Sequence, residues 1–145
     1  MEVKEILAPK NMLIVLGTIV ITMSLWGMTH GDEWAEIGWG EDNVLAHDEA
    51  YEEMWALHIM PLGVMAIVTA LVVTGKELAK VAMFAPLALV NILGGMLILA
   101  SDNGYGGTPT GINAALAGLM MLATILTCVS GFMHKDGESE SGDSQ

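Results

Sequence analysis

The hydrophobic positions of this chain fall into four long, uninterrupted stretches. They are residues 12–29, 54–74, 81–100 and 112–133, and none of them contains Asp, Glu, Lys or Arg. An α-helix rises about 1.5 Å per residue, so a helix of about 20 residues crosses the ~30 Å hydrocarbon core of a bilayer. The pattern therefore predicts an all-α integral membrane protein with four transmembrane helices.

The basic side chains lie only in the segments that precede the first stretch, join the second to the third, or follow the fourth. These segments are residues 1–11, 75–80 and 134–145, and four crossings place them on one side of the membrane. Lysine concentrates in cytoplasmic segments, so we predict a plasma-membrane protein with cytoplasmic N- and C-termini. The chain has no arginine, and its lysines are Lys4, Lys10, Lys76, Lys80 and Lys135.

The first stretch has one alternative interpretation, a cleaved signal peptide, because Lys4 and Lys10 precede it. Its apolar run is longer than a typical signal-peptide core. The sequence Trp-Gly-Met-Thr-His follows it where a cleavage site would need small residues. We therefore predict an uncleaved membrane span.

The two predicted outer segments differ in character. Residues 30–53 are acidic and aromatic, and they contain no Lys or Arg. Trp34 and Trp39 favour the membrane interface, so we expect a structured loop whose last part is a helix, capped by Asn43, that leads into the second span. Residues 101–111 form a glycine-rich outer loop. The formal net charge of −12 disfavours nucleic acid as a partner and would attract cations.

Histidines near the outer ends of the spans are the one group with possible metal chemistry. His47 and His58 lie within about 20° of each other on a helical wheel, and Met54 shares their stripe. Imidazole and thioether ligands suit copper or haem iron. Because His47 and His58 are about 16 Å apart along a helix, they cannot share one ion. The alternative is that each imidazole only hydrogen-bonds near the interface. The candidate ligands are His58, His30 and His47, with Asp32, Glu33 and Asp48 as possible partners.

Small residues and one amide inside the spans predict where helices approach closely. In lipid, close backbone contact and interhelical hydrogen bonds hold helices together, because apolar burial alone gives no preference for protein over lipid tails. These residues can serve the bundle itself or a partner subunit. They are Gly63, Ala66, Ala70, Asn91, Gly94, Gly95, Ala114 and Gly118.

The functional prediction follows from what the spans lack. They contain no carboxylate and no lysine, and of His and Cys only His58 and Cys128. A secondary transporter needs such groups at depth, so a stand-alone transporter is disfavoured. We predict a non-catalytic accessory subunit of a larger membrane complex; a respiratory or copper-dependent oxidase or monooxygenase assembly would suit the cation-attracting face. The alternative is a redox membrane protein that binds copper or haem. We predict no catalytic residue, and lipids and other membrane subunits as partners.

Overall fold

The described part of the chain is helical. The computed structural model describes residues 3–102, 104–106 and 109–136, with the backbone alone for residues 96, 97 and 99–102. The predicted tail beyond residue 136 and three positions of the glycine-rich loop, 103, 107 and 108, lie outside the described residues. The helices are α1 (Val3–Ile6), α2 (Pro9–Gly27), α3 (Gly31–Trp39), a 3₁₀ turn (Glu41–Asn43), α4 (Asp48–Val72), α5 (Gly75–Phe84), α6 (Pro86–Asp102) and α7 (Gly111–His134).

Four helical segments are long and apolar enough to cross a membrane, which confirms the predicted all-helical, four-span architecture. They are α2, α4, the consecutive helices α5 and α6 from Gly75 to Gly95, and α7. Many large apolar side chains of these segments are exposed, including Leu71, Ile98 and Met121 at more than three-fifths of their surface. A chain with so much exposed apolar surface on long helices is a multi-pass membrane protein surrounded by lipid.

The third span differs from the predicted single helix over residues 81–100. Helix α5 ends at Phe84, and Pro86 begins α6. Proline has no backbone N–H and fixes φ, so it suits the first position of a helix and interrupts a continuous one. Residues 75–80, assigned from the sequence to an inner turn, are the first part of α5. The turn is short, because only Val73 and Thr74, both extended, separate α4 from α5, and Gly75 follows with φ at +61°.

Helices α2 and α4 form the most extensive contact of the bundle. A Cβ atom on Gly63 would lie 2.7 Å from the carbonyl oxygen of Gly17, and one on Gly17 would lie 2.6 Å from the carbonyl oxygen of Gly63. The two backbones therefore touch, with Ala66 beside them. Further along α4, Ala70 is buried against Leu13 of α2. Small residues permit this approach, which is the main source of helix attraction in lipid.

Near its last residues, helix α7 contacts the segment before α2 and helix α5. We call this end of the bundle, which holds α1 and the last turn of α7, the terminal end. The Ser130 hydroxyl donates to the Leu7 carbonyl oxygen at 2.6 Å. Gly131 packs directly on the α5 backbone at Ala79 and Met83, where a Cβ atom would clash. The opposite end carries α3 and is called the α3 end. All five lysines lie in segments at the terminal end, so the bundle has one acidic end without lysine and one end that carries every lysine.

Candidate functional site

Helix α3 lies against the first turns of α4 and over the end of α2. Asp32 and Glu33 occupy its first turn, where acidic side chains favour the exposed N–H groups. A Cβ atom on Gly31 would lie 2.7 Å from the Glu49 carbonyl oxygen. The ring of Trp34 packs directly against Gly27 of α2, where a Cβ atom would clash with it. These contacts place α3 as a cover over one end of the four spans.

Helix α4 begins later than the sequence suggests. Its first residue is Asp48, whereas Asn43 lies in the 3₁₀ turn and donates from its side-chain amide to the Trp39 carbonyl oxygen at 3.2 Å. The Asp48 carboxylate accepts the Leu45 backbone N–H at 2.7 Å. This bond closes the turn before α4. The residue that precedes the helix is His47, not Asn43, and its side chain makes no capping hydrogen bond.

A hydrogen-bonded chain ties α3 to α7. The Trp34 indole Nε1 donates to Asn113 Oδ1 at 3.2 Å, and Asn113 Nδ2 donates to Glu33 Oε2 at 3.4 Å. The partners are about 80 positions apart in sequence, so the chain fixes α3 against the start of the fourth span.

A second polar link joins α4 to the loop between α6 and α7. The Tyr105 phenol donates to Glu52 Oε1 at 2.6 Å, and Glu52 is only 8% exposed. Burial, together with the hydrogen bond to Glu52, raises the pKa of Tyr105, so its hydroxyl remains a donor. The Tyr105 ring contacts Trp39 edge-on, with centroids 4.9 Å apart, and lies where a Cβ atom of Gly38 would be. Tyr105 thus holds α3, α4 and the loop together.

Beneath these links the spans line a half-open cavity of about 240 Å³ at the α3 end. Its walls are almost entirely apolar and come from α2, α4, α6 and α7, with α3 as the cover. Polar side chains reach it from α2, α4, α7 and the loop that precedes α7. The lining includes Val20, Met23, Ile59, Leu93 and Met120, the aromatic residues Trp34, Trp55 and Tyr105, and the polar residues Ser24, Glu52 and Asn113.

The candidate metal ligands do not converge. His30 stacks on Trp26 with centroids 3.6 Å apart, and its Nδ1 lies 3.1 Å from the Trp26 carbonyl oxygen. His58 is exposed and its Nδ1 bonds to the Met54 carbonyl oxygen. His47 lies 3.6 Å from Asp48.

Across the described residues, no group of three or more His, Cys, Asp or Glu side chains is arranged to hold a metal ion. Of the possible partners, Asp32 is exposed, while Glu33 and Asp48 have the hydrogen bonds given above. Copper or haem binding stays a prediction.

The predicted packing residues divide into two groups. Gly63, Ala66 and Ala70 lie at the contact of α2 with α4. Gly94, Gly95 and Gly118 have open space where a Cβ atom would project. Asn91 is exposed and Ala114 is half-buried.

Sequence reasoning missed the polar links of the α3 end. In the sequence, Tyr105 is explained as an interfacial ring and Glu52 as a solvated carboxylate. Their spacing gives no sign that the two side chains contact each other. Asn113 at the start of the fourth stretch was a usable signal, because an amide beside an apolar segment favours a hydrogen-bond partner.

The hydrogen bond from Tyr105 should contribute measurably to stability. We expect Tyr105→Phe to lower the free energy of unfolding by about 1–3 kcal/mol, because it leaves a buried carboxylate oxygen without its donor. Tyr51→Phe is the matched control. Tyr51 precedes Glu52 on α4 and is 58% exposed, so this change removes a phenol hydroxyl that faces outward. Equilibrium unfolding in detergent compares the two. Equal stability of both variants would show that the Tyr105–Glu52 bond does not hold the loop.

Comparison with known proteins gives no match to a family model, to a curated protein or to a solved structure.

Proposed function

We propose that this chain is a non-catalytic accessory subunit of a larger membrane complex, held in the plasma membrane with both termini in the cytoplasm. The positions of the lysines support the orientation, because all five lie at the terminal end and lysine concentrates on the cytoplasmic side. The acidic α3 end would then face outward. The partner-binding face is α6 with the adjoining part of α7.

The exposed amide of Asn91 is the observation that carries this proposal. Asn91 lies in the apolar helix α6, and its side chain makes no hydrogen bond to a described residue. An amide surrounded by lipid tails leaves its donors and acceptor unsatisfied, which costs free energy. A partner helix that bonds to Asn91 removes that cost.

The glycines beside Asn91 support a helix as its partner. Gly94 and Gly95 follow Asn91 by one turn on α6, and Gly118 lies at a similar depth on α7. Within the part of the chain that the structure describes, no atom outside the glycine's own stretch of helix lies within 4 Å of the Cβ position on any of the three. Within the described residues, α6 also contacts its neighbours more sparsely than α2 contacts α4. The face therefore permits a second backbone to approach closely.

Mild extraction followed by mass spectrometry tests this proposal. We expect the tagged chain to purify with larger membrane subunits. Asn91→Leu and Gly94→Leu should each recover at least about threefold less partner, since an interhelical hydrogen bond in a membrane contributes about 0.6–2 kcal/mol. Val68→Leu is the control, because Val68 is exposed on α4 away from this face.

Two results would contradict the proposal. One is a chain that purifies alone from its native membrane, and the other is unchanged partner recovery with Asn91→Leu. The metal content and visible spectrum of the same preparation test the alternative: a bound metal or haem lost in His58→Ala would favour a redox protein.

A further inference from the structure

The polar and aromatic residues that line the cavity at the α3 end form an unusual combination. The rings of Trp34, Trp55 and Tyr105 line it together with the carboxylate of Glu52. Aromatic faces carry negative partial charge and attract cations, and groups of such rings recognise quaternary ammonium ions in many proteins. A gap filled only by lipid tails would need neither a carboxylate nor the indole rings beside it.

The charge of this end favours a cationic occupant. No Lys or Arg occurs between Lys10 and Lys76. Asp48 precedes Glu52 by one helical turn, and the two are 5% and 8% exposed. Like charges at this spacing repel each other, and burial increases the cost of each charge. The neighbours of these carboxylates are the Leu45 N–H, the His47 ring and the Tyr105 hydroxyl, none of which is a permanent cation.

Ser24 is a second, independent sign of a ligand. It is 2% exposed and lines the cavity, yet its hydroxyl makes no hydrogen bond to a described residue. A hydroxyl without a partner costs free energy, and a cationic head in the cavity offsets part of that cost through its attraction to the hydroxyl oxygen. Ser24 lies on α2, whereas Glu52 lies on α4, so polar groups of two spans reach the same space.

The donor set excludes a bare metal ion as the natural occupant. Calcium takes about six to eight oxygen ligands and zinc about four nitrogen, sulfur or oxygen ligands. Among its described lining residues the cavity offers one carboxylate, that of Glu52, and one uncommitted hydroxyl, that of Ser24. The Tyr105 hydroxyl and the Asn113 amide are already hydrogen-bonded. An organic cation, whose charge is spread over alkyl groups, matches both the rings and the apolar walls.

We infer that this cavity binds an alkylammonium ion, with its cationic head against Glu52 and the rings of Trp34, Trp55 and Tyr105. The head also faces the Ser24 hydroxyl, and the alkyl part lies between the apolar side chains of α2, α6 and α7. A free alkylammonium ion and the choline head of a lipid share this chemistry. The assignment is independent of whether α6 binds a partner subunit.

Calorimetric titration of the full chain in a non-ionic detergent tests the inference. The probes are hexyltrimethylammonium and a neutral compound of the same length with a tert-butyl head. The wild type should bind the ammonium probe saturably and more tightly than the neutral one. Glu52→Gln keeps an acceptor for Tyr105 but removes the charge. It should weaken ammonium binding about tenfold or more and leave binding of the neutral probe unchanged.

Two further variants distinguish binding in the cavity from a general attraction of the probe to the acidic surface. Glu49→Gln removes one charge from the same turn of α4 at an exposed position, and ammonium affinity should change less than about twofold. Trp55→Leu removes an aromatic ring and should weaken binding of the ammonium probe several-fold. This variant provides a second test of the site if Glu52→Gln does not fold. Absence of saturable binding, equal losses in Glu49→Gln and Glu52→Gln, or equal affinity for both probes would each overturn the inference.

The source of the ligand is tested in bilayers. The wild type is reconstituted in phosphatidylcholine and in a neutral glycolipid without an ammonium group. If the choline head is the natural occupant, it competes with the ammonium probe for the cavity. The probe then binds more weakly in phosphatidylcholine than in the glycolipid. Equal affinity in the two bilayers assigns the site to a free alkylammonium ion.

Discussion

Gly63→Ala should destabilise the bundle by about 1–3 kcal/mol, although alanine is the better helix former. The added Cβ would lie 2.7 Å from the Gly17 carbonyl oxygen and 2.8 Å from a side-chain carbon of Ile21. The first neighbour is backbone and cannot rotate away. Helices α2 and α4 must therefore separate along their contact, which reduces the dispersion attraction that holds them together in lipid.

Gly94→Ala is the matched control for this change. It adds the same methyl group to an apolar helix, but no described atom of a neighbouring helix lies within 4 Å of its position. The isolated chain should be unchanged or stabilised by up to about 1 kcal/mol, because alanine favours the helix. Unfolding of both variants by a denaturing detergent, followed by circular dichroism, gives the comparison. If the two variants have the same stability, α2 and α4 do not pack through Gly17 and Gly63.

The fold was predictable to the extent that it depends on hydrophobic length. Four apolar stretches without charged residues dictate four helices, because backbone groups in lipid must bond within their own segment. Pro86 predicts a bend near one end of the stretch 81–100, and the structure has a break between two helices at that position. Apolar length alone does not distinguish a continuous helix from two helices in line.

The close helix contacts were predictable only in part. The small residues of the second span, such as Gly63, were visible as a stripe. Their partner Gly17 was not singled out, because the two glycines of the first stretch, Gly17 and Gly27, are ten positions apart and form no helical stripe. Gly94 and Gly118 look the same in sequence as Gly63, and only the packing separates glycines that touch a helix from glycines that face open space.

The candidate site was hidden for a related reason. Glu52 belongs to a run of acidic residues, and nothing local distinguishes it from exposed Glu49. Helical phase decides that Glu52 points inward and contacts Tyr105, which lies 53 positions away. The histidines attracted attention because of their chemistry, but the structure places His30, His47 and His58 in separate local contacts.

The four-span bundle, with its lysine-bearing end in the cytoplasm, is tested most directly by cysteine labelling in intact cells. In a Cys128→Ala background, Glu36→Cys reports on the α3 end and Lys76→Cys on the terminal end; both positions are exposed. A membrane-impermeant maleimide should label the first variant in intact cells and the second only after permeabilisation. The reverse pattern would contradict the orientation, and labelling of both variants without permeabilisation would contradict the membrane-spanning bundle itself.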